Sequence, residues 1–156
     1  MGQKIVTKQE FQGVFKIPCT IGKLGGLDAV ADQGSNVNLM SLSTYSKLTN
    51  EAILNSDIKL SFADHSYEYP FGIAKDVLIN VDGFLYPVDF MLFDRYDKDT
   101  PIILGGPFLA TARAQIDYER GSIVLRKGKH VRVFPTTSRK EKGGTPKRRR
   151  MWIVKP

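Results

Sequence analysis

Between Phe11 and Phe134 the chain breaks into short runs of alternating apolar and polar residues, separated by Gly, Asp, Asn and Pro. A period of two places alternate side chains on one face, so such runs read as half-buried strands rather than helices. Phe15-Lys16-Ile17-Pro18-Cys19-Thr20-Ile21 is the first, and Gly25-Gly26 is read as the turn into Leu27–Asp32. Pro18 restricts the first run to an edge or a bulge. Residues 58–93 read as a continuous antiparallel meander with a polar tip at Asp64-His65-Ser66. Within it Asp82-Gly83, between Val77–Val81 and Phe84–Leu92, is the strongest short hairpin signal. Pro101–Leu104 is wholly apolar, as in a strand buried on both faces. Turns at Glu119-Arg120-Gly121 and Lys127-Gly128-Lys129 precede Val131–Phe134. Helical signals are brief: one capped by Ser41 or Ser43 and running through Tyr45 and Leu48, the other Phe108–Ala114. Strands at roughly ten-residue spacing with one or two short helices predict an all-β, closed barrel-like domain of a single lobe.

Charge and composition narrow the function classes. The net charge of +7 suggests nucleic acid until it is located. Residues 138–156 hold eight of the 23 Lys and Arg and one of the 16 acids, which leaves 15 of each sign in residues 1–137. The basic excess is therefore confined to the tail, where Lys147-Arg148-Arg149-Arg150 suits a localisation signal or weak nucleic acid contact. Residues 135–156 are expected to be a disordered basic tail, and residues 1–10 an N-terminal extension to a domain spanning 11–134. One Cys and two His argue against a disulfide framework and against a metal centre, and no cofactor is expected. There is no apolar run of about 18 residues and no apolar stretch in Met1-Gly2-Gln3-Lys4, so an intracellular protein without a membrane anchor is expected.

The stretch that suggests chemistry is Ala31-Asp32-Gln33-Gly34-Ser35. An acid ends an apolar strand, a Gly two residues on permits a sharp turn, and Ser35 is placed to donate a hydrogen bond to the carboxylate. Alone, Asp-x-Gly is most often a turn. Here it is followed by Asn36-Val37-Asn38-Leu39-Met40, then Leu60-Ser61-Phe62-Ala63-Asp64, Tyr86-Pro87-Val88-Asp89-Phe90, and Ile103-Leu104-Gly105-Gly106-Pro107-Phe108. This ordered set, over residues 11–134, resembles the retropepsin-like aspartic protease domain of plant gypsy-type LTR retrotransposon polyproteins.

The resemblance implies a closed β fold contributing one catalytic residue, Asp32, with Gln33, Gly34 and Ser35 completing the catalytic loop. It implies a flap at Ala63, Asp64, His65 and Ser66, and loop support from Ile103, Leu104 and Gly105. No second Asp-x-Gly followed by a hydroxyl residue exists, because Asp82-Gly83 is followed by Phe84 and reads as a hairpin turn. The implied enzyme is thus a homodimeric endopeptidase acting on an extended peptide or polyprotein. Two positions depart from the family pattern. Gln33 stands where active retropepsins usually have Thr or Ser and plant element relatives often have Leu, and Gly106 where an Arg commonly braces the loop; both point to weaker dimerisation. The competing expectation is an inactive retropepsin-like dimerisation module. His65 reads first as an exposed turn residue, Cys19 as a small packing residue, and the aromatics of 84–93 as core.

Overall fold

The computed structural model describes residues 15–48, 52–61, 65–94 and 102–135. Six strands close a barrel in the order β1 (Phe15–Ile21), β2 (Leu24–Ala31), β8 (Ile102–Leu104), β3 (Leu39–Ser41), β7 (Phe84–Phe93) and β6 (Gly72–Val81). Outside it lie a two-stranded sheet of β4 (Leu60–Ser61) with β5 (Tyr67–Glu68), and a three-stranded sheet ordered β11 (His130–Pro135), β10 (Ser122–Lys127), β9 (Gln115–Asp117). Helices α1 (Leu42–Leu48) and α2 (Gly106–Thr111) are short. The all-β closed barrel expected from strand spacing is the architecture found.

The alternation is realised side by side along β1, where Phe15, Ile17, Cys19 and Ile21 are buried and the residues between them exposed. On β7, Phe84, Tyr86, Val88, Phe90 and Leu92 enter the same core, so these aromatics are packing residues. Burial raises the Cys19 thiol to about 11, with the nearby Asp28 charge adding to the effect. Tyr86 ties the outer elements to the barrel. Its ring meets Phe108 of α2 edge-on at 5.3 Å, and its hydroxyl donates to the Arg126 carbonyl at 2.7 Å.

Four local expectations are corrected. The β1–β2 turn falls at Gly22-Lys23, with Gly22 at φ +57°, and not at Gly25-Gly26. The paired glycines lie inside β2, where the register shifts between Cys19 and Ile21 and Gly26 adopts φ +67°. A glycine suits either a turn or a bulge, because both need the left-handed region. Residues 58–93 are not one meander: β4–β5 form their own sheet and β6–β7 belong to the barrel. The second helix spans Gly106–Thr111 rather than Phe108–Ala114, since Pro107 near its start is preset for a first turn. Ile103 is only partly buried, whereas Ile102 and Leu104 are buried.

Other local signals are realised as read. Asp82 and Gly83 both take positive φ, 50° and 94°, and join β6 to β7. Ser41 caps α1, accepting from the Thr44 backbone N–H at 3.1 Å. Pro18 pairs with Asp28 on β2, and the ladder to β6 involves Thr20 and Ile21, so a missing N–H at Pro18 is tolerated. Pro135, the first residue of the expected tail, ends β11; the rest of the basic tail, with its nucleic-acid expectation, and residues 1–10 lie outside the described residues. Among the described residues no helix is long and apolar enough to cross a membrane, and no group of three or more His, Cys, Asp or Glu is placed to hold a metal ion.

Candidate active site

Asp32 follows the last residue of β2, where parallel pairing with β8 ends at Ala31 and Leu104. Its backbone N–H continues that edge by donating to the Leu104 carbonyl at 3.0 Å. The chain then turns: the Ser35 N–H donates back to the Asp32 carbonyl at 3.1 Å, and the Gly34 N–H donates to Asp32 Oδ1 at 2.9 Å. A carboxylate that accepts a backbone N–H is held in orientation, a suitable posture for a general base or acid. Asp32 is half-buried, at the mouth of the loop.

Ser35 does not play the part expected of it. Its hydroxyl proton goes to the Val37 carbonyl at 2.6 Å, and its oxygen accepts from the Val37 N–H at 3.3 Å. Buried at 1% exposure, Ser35 closes the far side of the loop, and the carboxylate is oriented by Gly34 instead. The reason is reach: the hydroxyl sits within its own two-residue turn, where a nearby carbonyl competes for its only proton.

The Ile103-Leu104-Gly105 segment lies against this loop. Leu104 supplies the carbonyl bound by Asp32, and the Gly106 N–H donates to the Ser35 carbonyl at 2.8 Å. Gly105 is packed so closely that an added Cβ would stand 2.3 Å from the Val37 carbonyl oxygen and 2.7 Å from that of Ser35. Gly106 is different. A Cβ there would meet only the Ser35 carbonyl, at 3.5 Å, so its lack of a side chain is not a packing requirement.

Asn38 was given no role by sequence reasoning, yet it joins three strands. Its Oδ1 accepts from the Gly105 N–H at 2.7 Å, its Nδ2 donates to the Asp89 carbonyl at 3.0 Å, and its backbone carbonyl accepts from Met91 N–H at 2.8 Å. It is 3% exposed. The available signal was a lone amide between the apolar Val37 and Leu39, because a buried polar residue is normally there to satisfy specific partners. Replacing Asn38 by Leu is expected to leave the Gly105 N–H and the Asp89 carbonyl without that partner. A loss of about 2–4 kcal/mol follows, read as a lower urea midpoint with unchanged slope.

Gln33 is exposed and accepts a hydrogen bond from the Tyr118 hydroxyl at 2.5 Å. Of the expected flap, Ala63 and Asp64 lie outside the described residues. His65 and Ser66 are exposed beside β5, with His65 at φ +70°. β4, which pairs with β5, is anchored near the Asp32 loop: its Leu60 packs in a cluster with Val37, Leu39, Met91 and Phe93. Asp32, Gly34, Ser35, Leu104 and Gly105 are therefore brought together, with β4 tethered by apolar contacts to the residues that follow the loop.

No family model matches this sequence, and no curated protein does. Among solved structures, the chain is similar to the retroviral protease-like domain of Ddi1 from Leishmania major. The TM-score is 0.58 at 16% identity, covering 83% of this chain and 96% of that one. At that identity the likeness establishes the fold, which is retropepsin-like.

Proposed function

We propose that this chain is one half of an aspartic endopeptidase, a homodimer in which each copy supplies one Asp32 to a shared site. The supporting observation is the knot around that residue: a half-buried carboxylate held by the Gly34 N–H, on a loop tied to β8 through Leu104 and Gly106. Behind the loop, the buried Gly105 N–H donates to Asn38 Oδ1 and braces the segment that Asp32 bonds to.

Two Asp32 carboxyl groups facing each other across a two-fold axis hold one proton between them, since like charges so close disfavour double ionisation. The ionised member takes a proton from water as it attacks the peptide carbonyl carbon. The protonated member donates to the carbonyl oxygen, and proton return to the amide nitrogen lets the C–N bond break. The hairpin of β4 and β5 closes over an extended peptide and adds backbone hydrogen bonds in the manner of an extra strand. The substrate class is an extended polypeptide, with a retroelement polyprotein as the specific case.

Sedimentation across a concentration series, with cleavage of a mixed peptide library at about pH 5 on the same samples, tests this reading. Activity that appears only as the dimer forms is the expected result. A dimer that cleaves no peptide would favour the alternative, a retropepsin-like module kept for association alone.

A further inference from the structure

We infer that Tyr118 is a positioning residue for Asp32, acting through Gln33. This rests on the protease reading above and adds a residue 85 positions away in sequence from the loop it steadies. Tyr118 follows β9 in the turn to β10, and its ring packs edge-on against Phe15 at the start of β1, with centroids 5.9 Å apart. Its hydroxyl donates to Gln33 Oε1 at 2.5 Å. One side chain thus pins the Asp32 loop to the start of the barrel and to the C-terminal sheet.

The consequence lies in a single peptide plane. The N–H that holds Asp32 Oδ1 belongs to Gly34, and its direction is set by the backbone torsion of Gln33. Gly34 itself offers little resistance to rotation. With the Gln33 side chain tied to Tyr118, that torsion is restricted and the Gly34 N–H stays aimed at the carboxylate. Without the tie, the peptide is free to swing and the carboxylate loses its fixed donor. A residue two carbons longer than Ser is needed for this reach, which gives Gln33 a purpose within its own chain.

The test is a double-mutant cycle in the full chain with Tyr118→Phe, Gln33→Met and both together. Tyr118→Phe retains the ring against Phe15 and removes only the hydroxyl. Hydrogen exchange at the Gly34 amide is followed by NMR, and kcat and KM are measured on a cleaved peptide. Each single variant is expected to speed Gly34 exchange by about three- to tenfold and to lower kcat by a similar factor. KM should stay within about twofold, because substrate contacts are untouched. The double variant should be no worse than either single one. Unchanged Gly34 exchange in Tyr118→Phe, or effects that multiply in the double variant, would overturn the assignment. A wild-type chain that cleaves nothing would contradict the protease reading alone, and the tie would then stand or fall on the exchange pattern.

Discussion

Asp32→Asn is expected to abolish peptide cleavage, by about 10³-fold or more, while leaving the fold intact. The two halves of that expectation have separate grounds. Asn has nearly the shape of Asp, and its amide oxygen still accepts from the Gly34 N–H that now binds Oδ1 at 2.9 Å. The backbone bonds of Asp32, to Leu104 and from Ser35, do not involve the side chain at all. Asn, however, cannot take a proton from water or hold one for the carbonyl oxygen, as the proposed mechanism requires of Asp32. Cleavage rates and urea midpoints measured on the same preparation check both halves. A variant that lost activity together with stability would mean that Asp32 is a structural turn residue.

Gly105→Ala and Gly106→Ala, one residue apart, are expected to move stability in opposite directions. At Gly105 the new methyl would overlap two backbone carbonyl oxygens, those of Val37 and Ser35, and neither can rotate away as a side chain would. Relief requires the Asp32 loop to separate from β8, which breaks the Gly105–Asn38 and Gly106–Ser35 hydrogen bonds. A cost of about 3 kcal/mol or more follows, with loss of any cleavage. At Gly106 the methyl has room, 3.5 Å from the Ser35 carbonyl. It removes backbone freedom from the unfolded chain and favours the first turn of α2, for a gain of about 0.4–1 kcal/mol. Urea unfolding of the pair reads both signs. The first carbon of a longer side chain therefore fits at this position, so glycine is not imposed there by a clash at Cβ.

What was legible in the sequence was local. Asp82-Gly83 announces its hairpin because few other residue pairs tolerate two consecutive positive φ values, and the alternation in β1 and β7 follows directly from the pleat. The Gly25-Gly26 pair misled because glycine marks a need for unusual torsions without saying whether a turn or a bulge uses them. Pairings remote in sequence were out of reach of periodicity. β2 runs parallel to β8 some seventy residues later, and nothing in either run specifies the other. The Asp32 loop itself was found because its residues are contiguous and follow a family pattern. Its supports were not: Asn38 acts through Gly105 and Asp89, and Tyr118 acts through Gln33. Ser35 shows the same limit in reverse, since a hydroxyl near a carboxylate chose a carbonyl in its own turn.

The central claim is that one Asp32 per chain is half of a site. Mixing wild-type chain with an equal amount of Asp32→Asn chain, followed by re-equilibration and a cleavage assay at fixed total concentration, tests it most directly. Random pairing leaves about a quarter of the dimers with two intact Asp32 residues, so activity should fall to about a quarter of the wild-type value. A fall to one half would mean that each chain works alone, and the shared-site account would be wrong.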